Sequence, residues 1–371
     1  MLLRLIGIFL VTLGFAFWHP PALHAEESIK LGMSAPFSGP AAQLGQQFSQ
    51  GANLVFSAQN AQGGIAGKSI QLITADDGYE PVRAVENTRN FILKHQVFAL
   101  FGYVGTPTFN AILPLLRKHQ LPYLMPFSGA DILRQTEDAF IFNFRASYRE
   151  EAAAQVRYLV DKKQYRRIAL LIQADEFGAS VEQWFKAELA RRQLEPVVTV
   201  RFQRNSADMQ GAVSQLKQAE PDAVFTVGTY MPLARAIHLG QQQKFNPIYS
   251  VVSFTGIRQL QQLLKPPYQV FATMVVPDPA DQSSELARAY RNALNGQNAV
   301  ASEIGMEGFA AATLLVSALK KCSADLNQSC LIRQLPLQPL FDFPLSYLPE
   351  AHQASQQIFL YQISPDELQK I

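Results

Sequence analysis

The stretch LFGYVGTPTFNAILPLLRKHQLPYLMPFSGAD, Leu100 to Asp131, decides how the rest of the chain is read. It ends an apolar run at Leu100-Phe101-Gly102, which predicts a buried strand. A turn, Gly102 to Pro107, follows, and helical spacing then runs from Phe109 to His119. Thr106 suits an N-cap and Pro107 a first helical position, because proline gives up an N–H that would be unpaired there anyway. Gly105 lets the backbone approach a ligand with no Cβ in the way. A helix entered like this presents N–H groups and a positive dipole end, which suits a carboxylate. A second short strand, Pro122 to Pro126, leads into the small-residue loop Phe127-Ser128-Gly129-Ala130-Asp131 and a further predicted helix. Two neighbouring strand ends thus bring loops to one edge of a parallel sheet, where open α/β folds take ligands. From this stretch alone two readings stay open, a ligand-facing edge or ordinary βα turns.

Outward from it, strands and helices alternate. On the N-terminal side lie a strand at Ile29–Ser34, a helix over Gln46–Asn60, a strand at Ser69–Ile73 and a helix from Pro81 to about Lys94. On the C-terminal side a second round begins with a helix at Glu150–Lys162 and a strand at Ile168–Ile172. A helix follows Asp175-Glu176-Phe177-Gly178, and strands return near Val197–Val200, Ala223–Val227 and Ile248–Val252. Two further helices are predicted at Ser284–Leu294 and Glu303–Lys321. The fold class is α/β, two doubly wound lobes joined by a multi-strand hinge, with crossings near Phe144–Tyr148 and Val275–Pro279. Hinge closure on a ligand is the natural motion of such a pair.

The first 25 residues pair a basic start at Arg4 with a short apolar core, Leu5 to Trp18, and a small residue, Ala25, before Glu26-Glu27. That pattern predicts a signal peptide over residues 1–25 and an exported, soluble, periplasmic product. Its removal takes one of 32 basic residues and none of 30 acidic ones, so the net charge falls from +2 to +1. Such balance gives no footprint for nucleic acid. The two cysteines, Cys322 and Cys330, form either a local disulfide, as an oxidising compartment favours, or two free thiols. After residue 25 no His or Cys lies at zinc-ligand spacing from another, so neither a metal nor a cofactor is expected. The adjacent carboxylates Asp76 and Asp77 read as turn and capping residues. G-x-S-x-G, HExxH and phosphate-binding Gly-rich loops are lacking, and the chain is expected not to be an enzyme.

Several pieces carry a resemblance: Leu31 to Pro40, Asn60 to Gly67, Asp76-Asp77 with Glu80-Pro81, Phe142 to Arg145, Asp175 to Gly178, and Met306 to Ala312. In this order they resemble type I periplasmic binding proteins, in particular the leucine/isoleucine/valine-binding group of ABC transporters. The similarity covers nearly all of the chain after residue 25. It implies lobe 1 from 26–145 and 276–351, and lobe 2 from 146–275 and 352–371. It also implies a monomer that holds a small carboxylate-bearing ligand, an amino acid or a related compound, between the lobes for an ABC permease. A periplasmic sensor docking on a membrane signalling protein would use the same cleft. The implied ligand-binding residues are Gly105, Thr106, Phe127, Ser128 and Gly129 from lobe 1, with Phe177, Tyr230 (or Thr229) and Ser253 from lobe 2. Ser253 stands near where the family places the acid that neutralises a ligand ammonium. Leu44 stands where a branched-chain binder often has an aromatic residue. A buried ammonium without a carboxylate is costly, so Ser253 points away from a standard α-amino acid, and Leu44 points to a changed ligand.

Overall fold

The computed structural model describes residues 28–297 and 299–371, and the export signal expected over residues 1–25 lies outside them. The elements in order are β1 (Ile29–Ala35), α1 (Ala42–Ala61), β2 (Ile70–Asp76), α2 (Pro81–Asn90), β3 (Ala99–Phe101), α3 (Thr106–His119), β4 (Tyr123–Leu124) and β5 (Ile141–Phe142). There follow α4 (Tyr148–Val156), β6 (Ile168–Gln173), α5 (Glu176–Ala190), β7 (Val198–Phe202), α6 (Gln210–Ala219), β8 (Ala223–Val227), α7 (Tyr230–Gln242), β9 (Ile248–Val251), α8 (Ile257–Leu263) and β10 (Val270–Met274). The chain ends with α9 (Glu285–Leu294), α10 (Glu303–Lys321), α11 (Gln328–Gln334), β11 (Phe359–Ile363) and β12 (Leu368–Lys370).

Two sheets result. The first, β2-β1-β3-β4-β5, is parallel throughout. The second runs β12-β11-β10-β9-β8-β6-β7, and its parallel part, β10 back to β7, repeats the order of the first sheet. In both, the strand order reverses beside the first strand of the lobe, and loops leaving the carboxyl ends there face a crevice. β3 is buried at all three residues and β8 at all five, as strands covered on both faces must be. β11 and β12 add antiparallel pairing on β10.

α10 crosses α1 at glycines: a Cβ on Gly51 would fall 1.8 Å from the Gly305 carbonyl oxygen, and one on Gly308 would fall 2.1 Å from that of Phe48. Between β5 and α4 the connecting backbone pairs with a later segment, Asn143 N–H donating to His352 O at 2.7 Å and Ala354 N–H to Asn143 O at 2.8 Å. Cys322 and Cys330 are disulfide-bonded, closing the turn between α10 and α11.

Two local expectations give way. The helix predicted after Asp131 is only a 3-10 turn, Asp131–Leu133. Arg134 instead donates to the carbonyls of Ala130 and Arg145, the first of which a continuing helix would have used itself. Thr106 is not the N-cap of α3 but its first residue; Gly105, at φ 103°, occupies the cap. Its left-handed conformation admits no β-carbon cheaply, and Tyr79 fills the space where one would stand.

Candidate ligand cleft

The loop after β3 sets the floor. Thr106, 2% exposed, puts Oγ1 2.9 Å from Ser128 Oγ on the loop after β4. Gly105 N–H donates to Phe127 O at 3.2 Å, which ties the two loops together. Gly129 accepts from Tyr148 N–H at 2.8 Å, so the start of α4 rests on the same loop. Ser147 caps α4 reciprocally with Glu150, and that capping box fixes where Tyr148 points.

From the second sheet, the first turn of α5 supplies Phe177 and the turn after β9 supplies Phe254, both fully buried. Their ring centroids are 4.5 Å apart. Phe254 also reaches Phe127 at 5.3 Å and Tyr79 at 5.9 Å, and Tyr148 meets Phe177 at 5.4 Å. The Phe254 ring therefore bridges the lobes against Phe127, the residue before Ser128. Tyr230, at the start of α7, spans the lobes too, its hydroxyl accepting from Gln43 N–H at 3.2 Å. It lies beside Gly256 and Leu44: a Cβ on Gly256 would meet Tyr230 at 3.1 Å and Leu44 at 3.2 Å.

Beneath this box lies a buried ion cluster. Arg145, wholly inaccessible, has Nε 3.5 Å from Glu307 Oε1 and its guanidinium over the Phe127 ring at 4.5 Å. It donates to Ser253, whose hydroxyl donates in turn to Glu151 at 2.8 Å. Glu151 also accepts from Ser253 N–H at 2.7 Å and from Thr273. Burial raises the Glu151 carboxyl above its ordinary range and pushes Glu307 up to about 7, in both cases against the pull of Arg145. The Ser253 side chain is thus engaged below the box, in the ion cluster.

Asp76 accepts from Phe37 N–H at 2.8 Å, Gly78 N–H at 2.9 Å, Ser38 Oγ at 2.6 Å and Arg83 at 2.9 Å, the work of a turn. Asp77 accepts from Ser34 Oγ at 2.7 Å and Tyr79 N–H at 2.8 Å, and burial pushes its carboxyl up to about 7. These bonds seat Tyr79 at the cleft. Thus Gly105, Thr106, Phe127, Ser128, Gly129 and Phe177 come together, with Tyr230 beside them.

Sequence reasoning missed Tyr79, Tyr148 and Phe254. The capping box Ser147-x-x-Glu150 was the one local signal for Tyr148. A surface cavity of about 830 Å³ opens elsewhere, between Arg157, Tyr158 and Ile358, and none of the expected ligand residues lines it. Among the described residues, no helix is long and apolar enough to cross a membrane.

Against known proteins, the profile described as periplasmic binding protein matches residues 28–367. The crystal structure of a possible leucine/isoleucine/valine-binding protein from Rhodopirellula baltica SH 1 superposes with a TM-score of 0.87 at 32% identity, covering 93% of this chain and 96% of that one. The Leu/Ile/Val-binding protein BraC3 of Rhizobium johnstonii is 26% identical over 240 residues, 63% of this chain and 63% of its own length. A branched-chain amino acid ABC transporter protein from Thermus thermophilus with bound valine shares the fold, with a TM-score of 0.83 at 14% identity over 93% of this chain and 96% of that one. The matches to curated relatives span 55% to 63% of those proteins' length.

Proposed function

The chain belongs to the periplasmic binding protein family, in its type I, leucine/isoleucine/valine-binding branch, and from that premise we propose that it is an exported solute receptor. On this reading it closes on a small carboxylate-bearing ligand between its lobes and delivers it to an ABC permease, acting as a monomer and without chemical conversion. The lobes divide at 26–145 with 276–351, and 146–275 with 352–371. The observation that carries the reading is the meeting of Thr106 and Ser128, at the head of α3, with Phe177 and Phe254 from the opposite sheet. A helix N-terminus with hydroxyls beside it suits a carboxylate, and buried rings above it suit an apolar body. Members of the family are binding proteins, and the buried acids Glu151 and Glu307 near this cleft serve Arg145 and Ser253 rather than a reacting group.

The test is a thermal-shift screen of amino acids, amides and aromatic acids, followed by small-angle scattering with any ligand that raises the melting temperature. Compaction at saturation is expected. A scattering profile that does not change with the cleft saturated would argue against closure.

A further inference from the structure

Resting on the receptor reading, we propose that Tyr79 and Tyr148 complete the carboxylate cradle, and that the ligand is a carboxylate with an uncharged apolar body and no α-ammonium group. Thr106 and Ser128 satisfy one another at 2.9 Å. Tyr79 and Tyr148 do not: each is wholly buried, and neither hydroxyl has a hydrogen-bond partner. Both flank the same loops. The Tyr79 ring lies 2.3 Å from where a Cβ on Gly105 would stand, and the Tyr148 ring 2.6 Å from one on Gly129. The Tyr148 hydroxyl is near the Ser128 side chain and the Tyr79 hydroxyl near the Gln173 side chain, each without reaching hydrogen-bonding geometry. A buried hydroxyl without a partner is costly, and two of them beside the head of α3 supply the donors an anionic oxygen pair would accept. Burial raises the Tyr79 phenol and pushes Tyr148 up to about 12, so both keep their protons at neutral pH.

The absence of an ammonium follows from the acids. Glu151 is taken up by Ser253 and Thr273, and Glu307 faces Arg145. Asp175 caps α5 and faces Arg204, and Asp77 holds Ser34 and Tyr79 N–H. Two cations flank the box instead, Arg145 over Phe127 at 4.5 Å and Arg204 over Tyr79 at 5.7 Å. A ligand cation would meet like charges and spent carboxylates. Glu303 is the exception: Oε1 accepts from Ile257 N–H at 2.6 Å, while Oε2 is buried without a partner. It therefore defines the competing outcome.

Calorimetry on the secreted protein with 4-methylpentanoate against leucine, and 3-phenylpropanoate against phenylalanine, decides between them. At least one amine-free acid is expected to bind ten-fold or more tighter than its amino acid. Tyr79→Phe and Tyr148→Phe should each weaken it by roughly ten- to a hundred-fold, the range for a hydrogen bond to a charged group. Neither variant should lower the melting temperature of the free protein, since neither hydroxyl has a partner to lose. Tighter binding of an amino acid, abolished by Glu303→Gln, would overturn the ligand class and leave the receptor reading intact. Unchanged affinity in both Tyr variants would overturn the cradle. Binding only of neutral or cationic solutes in the screen would sink the proposal and the carboxylate part of the receptor reading but not solute reception itself, whereas no binding of any small solute would sink all three.

Discussion

Arg145→Met tests whether the ion cluster beneath the cleft holds the two lobes' elements together. Glu307 comes from α10, Glu151 from α4, and Ser253 from the turn after β9, so one guanidinium joins three distant parts of the chain. At 3.5 Å and an effective dielectric near 20, the Arg145–Glu307 attraction alone is about 5 kcal/mol before desolvation. Removing one partner of a buried pair typically costs about 3–5 kcal/mol, because the remaining charge is stranded. For a domain of 150–250 residues this corresponds to a fall of roughly 6–20 °C in melting temperature. Protonation limits the penalty. Glu307 already titrates near 7 and Glu151 is raised, so the cost should be smaller at pH 5 than at pH 8. The double change Arg145→Met with Glu307→Gln should lose less than Arg145→Met alone. Denaturant and thermal melts at the two pH values provide the readout. A cost under about 1 kcal/mol at pH 8, or one that does not vary with pH, would refute the account, since the lower figure is what an exposed pair contributes.

Thr106→Ala should weaken ligand binding by about ten-fold or more and lower the melting temperature of the free protein by only a few degrees, because Thr106 makes no cap hydrogen bond and loses only its buried bond to Ser128, about 1–2 kcal/mol; calorimetry and a melt on the same sample check it. Folding stability should fall as pH rises from about 5 to 7.5, which melting temperatures across that range will show. Asp77 and Glu307 have folded values near 7 against ordinary values of 3.8 and 4.5, so the native chain retains protons that the unfolded chain has lost, and this stability is complete below the ordinary values and gone above 7. Asp77→Asn should flatten the slope; Asp76, held low by its hydrogen bonds against the cost of burial, acts only below about pH 4 and leaves this window alone. Replacing both Cys322 and Cys330 by Ser should cost about 2–3 kcal/mol from the short loop they close, and thiol titration of the unreduced, unfolded protein should find no free thiol.

What could be read from the sequence was whatever depends on neighbours. Strand ends at Phe101 and Val227, the glycine at 105 and Asp175 before α5 are local signals, and signals of this kind mark the alternation from β1 to β9. β11 was not visible because Phe359–Ile363 is half-buried and becomes a strand only by pairing with β10, far away in the chain. The same holds for the site. Thr106 and Phe177 sit at strand–helix turns, where a reader looks for ligands. Tyr79 and Tyr148 look like loop and crossing residues until their hydroxyls are found buried and unpaired. Ser253 was legible as a missing acid, yet its partners, Arg145 and Glu151, lie 108 and 102 residues away.

The contacts between the lobes bear on how a ligand could act. Arg204 to Glu80 at 3.0 Å is a half-exposed pair, worth about 0–1 kcal/mol. Trp184 to Asp131 at 2.7 Å and Tyr230 to Gln43 at 3.2 Å are single hydrogen bonds, each near 1 kcal/mol net. Phe254 against Tyr79 and Phe127 contributes roughly 0.5–1.5 kcal/mol per ring pair beyond its burial. A carboxylate held by Thr106, Ser128, Tyr79 and Tyr148 draws donors from both sides of the hinge and so binds the closed form preferentially. That difference in affinity is what shifts the population. On the proposed cradle, the unpaired phenols reserve hydrogen bonds for the ligand that add to the rim contacts and to the Arg145 cluster already joining the lobes.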